Sequence, residues 1–420
     1  MLLFDRDRWI EIWVTITRNK VRSLLTCFGV FWGILMLIIL LGSGTGLKNA
    51  VLGETEGFAT NSFFFFTDRT SLPYKGFNKG RSWDLRNRDV ASIQREVEGI
   101  DQITPLIFGA SGDKNVVYGR KSGTYHVKGV APAYFEIETQ DLLFGRLLNQ
   151  IDERERRKVC TIGEDVNKAL FQNGNPCGKY IRVNGLYYQV VGVTRAKSSN
   201  ISINGRADES VFIPFSTLQQ SMHRGDKIDI LAASVYPGYD VNAIIAQSKQ
   251  IVFQQNQIAP DDPQALMVLN FAEMFGTFLN LFLGIDILVW IVGMGTLLAG
   301  IIGVSNIMMV TVKERTKEIG VRRALGAKPF DIISQVMSES LMLTAMAGLL
   351  GLSCGVFLLD LANRLLLAIP SDNIIMKDPS VNIQIAVAAT LVLLFSGLLA
   401  GLIPAWRAMQ IKAIDALRDE

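Results

Sequence analysis

The densest concentration of charge in the sequence is VKERTKEIGVRRALGA, Val312–Ala327, with five basic and two acidic side chains. Residues of these types at this spacing do ion-pair and docking chemistry, not covalent catalysis. Glu318 and Arg322 stand at i, i+4 and Arg315 and Glu318 at i, i+3, pairs that each support a helix by about 0.3 kcal/mol. Glu314 and Glu318 oppose it by a similar amount. Gly320 weakens the helix, Gly326 can end it, and Pro329 and Asp331 suit the first turn of another. Membrane topology would explain the basic residues. It would not explain Glu314, Glu318, Ile319, Val321 and Leu325 in so short a turn, whereas a docking surface for a cytoplasmic partner explains them all. The residues expected to carry coupling are Glu314, Arg315, Lys317, Glu318, Ile319, Arg322 and Arg323.

Constellations for covalent or metal chemistry are missing from the sequence. No stretch fits G-x-x-x-x-G-K-[ST]: GNPCGKY (Gly174–Tyr180) has the wrong glycine spacing, and GSGTGL (Gly42–Leu47) follows an apolar run, not a strand. There is no G-x-S-x-G or H-E-x-x-H. The two histidines, His126 and His223, have no ligand-like spacing, and the four cysteines form no CxxC. The expectation is no catalytic residue, no metal site and no cofactor in this chain. Cys160 and Cys177 share one region, so a disulfide and two small core residues are both open readings.

The elements that position the charged turn are apolar. The 420 residues are 49% hydrophobic with mean hydropathy +0.27, which fits a few membrane spans plus a large water-exposed part. A net charge of +3 gives nucleic-acid binding no electrostatic support. Four spans are predicted: 23–45, the membrane half of 271–311, 329–369 and 381–404. Basic residues precede the first span (Arg6, Arg8, Arg18, Lys20, Arg22), fill the turn 312–328 and follow the fourth (Arg407, Lys412, Arg418). The 370–380 connection has only Lys377. Positive-inside bias places both termini and the turn in the cytoplasm and 46–270 outside. Residues 1–22, with Trp9, Ile12, Trp13 and Ile16 on one face, read as an interfacial helix, and 405–420 as a cytoplasmic tail.

Phe271–Thr311 is too long for one crossing, about 60 Å of helix against a hydrocarbon core of about 30 Å. Counting back from the turn puts the membrane boundary near Ile291, with Trp290 at the interface and Phe271–Val289 projecting as a stalk. Asp286 then lies about 8 Å outside the bilayer. Small residues at four-residue spacing predict close helix packing through Ala299 and Gly303 in the second span and Ala347, Gly351 and Gly355 in the third.

Within 46–270, the four phenylalanines of Ser62–Thr67 read as a buried strand, and Asn87–Glu98 as an amphipathic helix. Asp229–Tyr236 reads as a strand and Asp240–Gln255 as a helix. Asn184-Gly185 in YIRVNGLYYQVVGV is a strong hairpin signal. DERERRK, Asp152–Lys158, reads as a solvated loop. The fold class is a membrane protein with four transmembrane α-helices, long stalk helices and a large α+β periplasmic domain, its α/β porter-like lobe split by a β-rich insertion at roughly 112–200.

Val312–Leu352 resembles the signature of MacB/FtsX-type ABC transporter permeases, in which E-R-x-x-E-I-G-x-x-[RK]-A-[LI]-G-A links the second and third spans and contacts the ATPase. Glu314, Arg315, Glu318, Ile319, Gly320, Arg323, Ala324, Leu325, Gly326 and Ala327 match it. The closing IPAWRAMQIKAIDALRDE is similar to the family's P-A-x-x-A…A-L-R-x-E segment, departing at Ala413, where proline is common. Val127–Leu148 and Gly178–Val193 resemble the MacB periplasmic domain.

The resemblance implies a homo- or heterodimer of permease protomers in the bacterial inner membrane and an ABC ATPase that binds ATP and Mg²⁺. Because the chain opens on the interfacial segment, the ATPase is expected on a separate subunit. It further implies mechanotransmission and efflux of periplasmic substrates such as antibiotics, peptides or toxins, with a periplasmic adaptor and an outer-membrane channel. The alternatives are lipoprotein extraction of the LolC/LolE kind and FtsX-like regulation of cell-wall hydrolases, the latter disfavoured by the size of 46–270.

Overall fold

The computed structural model describes residues 20–53, 57–110, 112–197, 203–367, 376, 378–380 and 383–410. The amphipathic face at Trp9–Ile16 and the tail beyond Gln410 lie outside the described residues, as does most of the 370–380 connection. The chain divides into two compact units, Leu52–Leu279 and Met1–Val51 with Asn280–Glu420.

The second of these holds Pro329–Leu367, Ile383–Met409 and most of Lys20–Gly53 and Phe271–Glu314, four helices long and apolar enough to cross a membrane. Val30, Ile34, Leu37, Ile38 and Leu41 of the first helix form the middle of their shared core. Missing side chains make the closest approaches. Gly29 meets Gly300, and Gly33 meets the backbone of Thr296, each within 3.5 Å of where a Cβ would stand. Gly351 sits against Phe31, where an added Cβ would lie 2.7 Å from the carbonyl oxygen, and Gly355 sits against Ile38. The third and fourth helices close on each other through Gly397 and Gly401, and Ser340 Oγ donates to the Gly397 carbonyl at 3.0 Å. Such contacts supply dispersion and hydrogen bonding where lipid offers no hydrophobic driving force.

The 44-residue helix Phe271–Glu314 is about 66 Å long. Asn270 caps it, accepting from the Glu273 amide at 3.1 Å. Its first residue, Phe271, stacks on Phe58 and meets Phe64 edge-on, with ring centroids 5.3 and 5.4 Å apart.

The Leu52–Leu279 unit is built on one twelve-stranded sheet. Its strands are β1 (Ser62–Thr67), β3 (Ile100–Phe108), β4 (Val116–Tyr118), β5 (Lys121–Gly123), β6 (His126–Val130), β7 (Gln140–Gly145), β8 (Val159–Gly163), β9 (Tyr180–Val183), β10 (Leu186–Ala196), β11 (Ser210–Pro214), β13 (Ile230–Val235) and β14 (Leu266–Asn270). A separate small ladder joins β2 (Leu85–Arg86) to β12 (Lys227–Ile228). The order is β14-β1-β13-β3-β6-β11-β8-β10-β9-β4-β5, with β7 on β10. The middle of β1 is a row of phenylalanines because both its faces are covered: Phe63 and Phe65 enter one core and Phe64 the other. The helices Asn87–Glu96 and Val241–Gln255 pack on the Phe63 face through Ile93, Ile244, Val252 and Phe253. Gln255 Nε2 donates to Ser92 Oγ between them.

The β-rich insertion is continuous with the α/β part through β6, β11, β8 and β10. The β9–β10 turn has φ of 47° at Asn184 and 88° at Gly185, the left-handed pair a two-residue hairpin requires. The DERERRK run differs from the solvated loop expected of it. Its start belongs to a short helix, Gln150–Arg154, capped by Asn149. Asp152 is fully buried, accepts from both terminal guanidinium nitrogens of Arg146, and lies 3.8 Å from Arg157. Periodicity did not reveal this, because the partner, Arg146, lies outside the run. Cys160 and Cys177 are free thiols.

Candidate coupling site

The long second helix ends at Glu314, and a nine-residue helix, Thr316–Ala324, follows. Arg315 is the joint, with φ −96° and ψ 13°, outside helical geometry. Gly326 takes φ +96°, a conformation open to glycine, and releases the chain into Pro329–Leu367.

The expected coupling residues fall into two sets. One set turns inward. Arg315 Nη1 donates to Glu339 Oε1 at 3.0 Å, and the Glu339 side chain is only 6% exposed. Arg322 donates to Gln335 Oε1 at 3.0 Å and to Glu318 at 2.9 Å. Arg323 Nη1 donates to the Met409 carbonyl at 2.8 Å. Ile319 is buried in the core that holds Val312, Ile332 and Val336. The other set faces outward: Glu314, Lys317 and Glu318 are exposed. Beside them stand Val321, Leu325 at 84% exposure and Phe330 at 68%. Of the residues expected to carry coupling, Arg315 and Arg322 bond to the third helix and Arg323 to the fourth. A crevice at the joint is lined by Met308, Thr311, Arg315, Arg322, Gln335 and Glu339.

The packing residues also divide. Ala347 is buried, and Gly351 and Gly355 touch the first helix. Ala299 is exposed and Gly303 has no atom within 4 Å of an added Cβ, so among the described residues neither makes a close helix contact. Gly300, one position on, does that work, as do Gly29 and Gly33. The G-x-x-x-G spacing of the last two was visible in the sequence and was the missed signal.

In the outer unit, burial raises the Glu138 carboxyl and lowers the Lys128 ammonium. Lys128 Nζ donates to the Gly205 carbonyl at 2.7 Å, and Tyr134 donates to Glu138. These are interior contacts within one core. Among the described residues no group of three or more His, Cys, Asp or Glu is placed to hold a metal.

Four apolar helices, a large α+β domain between the first and second, and a pinned charged elbow between the second and third define a multi-pass membrane permease. Residues 23–251 match the MacB-like periplasmic core domain and residues 290–413 the FtsX-like permease C-terminal domain. The chain belongs to the MacB/FtsX family of ABC transporter permeases.

It is 26% identical over 407 residues to the macrolide export ATP-binding/permease protein MacB of Bdellovibrio bacteriovorus, covering 97% of this chain and 60% of that one. It is 28% identical over 418 residues to the pyoverdine export ATP-binding/permease protein PvdT of Pseudomonas aeruginosa, covering 99% and 58%. The chain thus spans about 60% of the length of these relatives. Among solved structures, it is similar to the periplasmic region of MacB from Actinobacillus actinomycetemcomitans, with a TM-score of 0.43 and 20% identity over 55% of this chain and 98% of that one.

Proposed function

We propose that this chain is the permease part of an ATP-driven exporter, and that the exposed face of the elbow helix is where an ABC ATPase docks. The carrying observation is the outward pair Leu325 and Phe330, 84% and 68% exposed, beside the outward charges Lys317 and Glu318. An apolar projection ringed by charge suits a protein groove, with the apolar residues supplying affinity and the charges register. ATP and Mg²⁺ belong to the ATPase. Excess basic residues at the elbow support a cytoplasmic elbow and a periplasmic large domain.

In this reading, closure of a permease dimer on ATP binding displaces the elbow, and the long second helix carries the movement outward. Macrolides and pyoverdine, the cargo in the relatives' names, point to amphiphilic export substrates, passed on through an adaptor and an outer-membrane channel. Leu325→Asp with Phe330→Asp tests the docking face. Both side chains are exposed, so the variant should insert and fold. It should lose co-purification of the ABC ATPase and ATP-driven export together. Undiminished co-purification would overturn the assignment.

A further inference from the structure

A carboxylate deep in an apolar helix is costly unless it has a partner and a purpose. Glu339 lies ten positions into Pro329–Leu367, with its side chain almost fully enclosed and Arg315 Nη1 3.0 Å away. Gln335, one turn earlier on the same face, accepts from Arg322 at 3.0 Å. Two arginines seven positions apart on the elbow thus meet two acceptors four positions apart on the third helix. Both bonds together restrict the orientation of the two elements. Arg315 has a double role, because its backbone makes the bend between Phe271–Glu314 and Thr316–Ala324 and its side chain braces that bend. A crevice lies beside the brace, and the apolar packing of Ile319 on Val312, Ile332 and Val336 flanks it.

We infer that Glu339 is the positioning residue of the elbow: its bond to Arg315 fixes the angle between the second membrane helix and the elbow helix and makes them move with the third. Its use in export rests on the ATPase-docking reading, but the geometric claim does not. A carboxylate that served folding alone would leave the bend unchanged once the chain had folded.

The full chain is reconstituted in lipid nanodiscs with its native cysteines replaced by serine and spin labels on Val310→Cys and Lys328→Cys, both exposed positions on either side of the joint. One narrow distance is expected. Glu339→Ala and Arg315→Ala should broaden it, and the exchange Arg315→Glu with Glu339→Arg should narrow it again. Glu339→Gln keeps the volume and an acceptor, folds where the alanine variant does not, and should give an intermediate width. Unchanged widths in Glu339→Ala, or in Glu339→Gln where the alanine variant does not fold, overturn the inference. So does an exchange that fails to restore the narrow distance in a folded chain. With the ATPase bound, Glu339→Ala should retain ATP hydrolysis and lose export about ten-fold. An ATPase that does not bind the wild-type chain would strike the docking reading and leave the distance result standing.

Discussion

Arg323 Nη1 donates to the backbone carbonyl of Met409 at 2.8 Å, across 86 positions of sequence. Met409 is the last residue of the fourth membrane helix, where carbonyl oxygens lack an intrahelical partner. A guanidinium there satisfies one of them and favours the negative end of the helix dipole. The bond also ties the elbow to the fourth helix, as Arg315 and Arg322 tie it to the third.

Arg323→Met should insert normally and lower the stability of the detergent-solubilised chain by at least about 1 kcal/mol. The check is a thermal unfolding midpoint measured beside Arg323→Lys, which keeps a donor and should recover part of the loss. An Arg323→Met midpoint equal to wild type would return Arg323 to the docking face.

Gly351→Ala and Gly303→Ala are the same chemical change in two surroundings. The new Cβ would stand 2.7 Å from the Phe31 carbonyl oxygen at Gly351 and in open space at Gly303. Gly351→Ala should cost about 1–3 kcal/mol through overpacking against backbone. Gly303→Ala should be neutral or slightly stabilising, since alanine is the better helix former. Unfolding of the monomeric chain in detergent reads both, and equal effects would refute the packing scheme.

Asp262 gives the outer domain an acid-sensitive contact. Burial alone would raise its carboxyl. Hydrogen bonds from Ser71 Oγ and the Leu72, Gln264 and Ala265 amides outweigh burial and hold it at about 2. With the folded value below the ordinary 3.8, its contribution is present above that value and fades as pH falls toward 2, by roughly 2 kcal/mol in all. Hydrogen exchange of the Ser71, Leu72 and Ala265 amides should show that loss in the wild type below pH 4. Asp262→Asn should exchange faster already at pH 7 and respond less to acid.

Asp286 is exposed on the helix that starts at Phe271. With the bilayer boundary near Ile291, Asp286→Cys should react with a membrane-impermeant maleimide added to the periplasmic face, scored by the mass of its peptide. Protection there would move the boundary outward by at least a turn.

Much of this molecule could be read from its sequence where a local pattern decides the structure. FFFF in Ser62–Thr67 announced a strand covered on both faces, Asn184-Gly185 announced its hairpin, and the four apolar stretches announced four helices. The elbow shows where such reading stops. Charge spacing placed a short helix between the second and third spans, but it could not tell inward arginines from outward ones. That division depends on Gln335, Glu339 and Met409, which approach only after the helices have packed. Asp152 failed for the same reason, and Ala299 by a single position, since a helix face about 100° away on the same rod meets different neighbours.

Strand β10 pairs with β9 through Leu186–Gln189, with β8 through Gln189–Thr194 and with β7 through Gly192–Ala196. An insertion hung from two loops would behave as a pendulum, free to lag behind whatever carries it. This one is woven into the same fabric as β1 and β14, and to tilt it against them would mean tearing backbone hydrogen bonds. The Asn184 hairpin and Asn270 thus stand on one continuous hydrogen-bonded sheet, and a tilt of one against the other would strain that shared ladder.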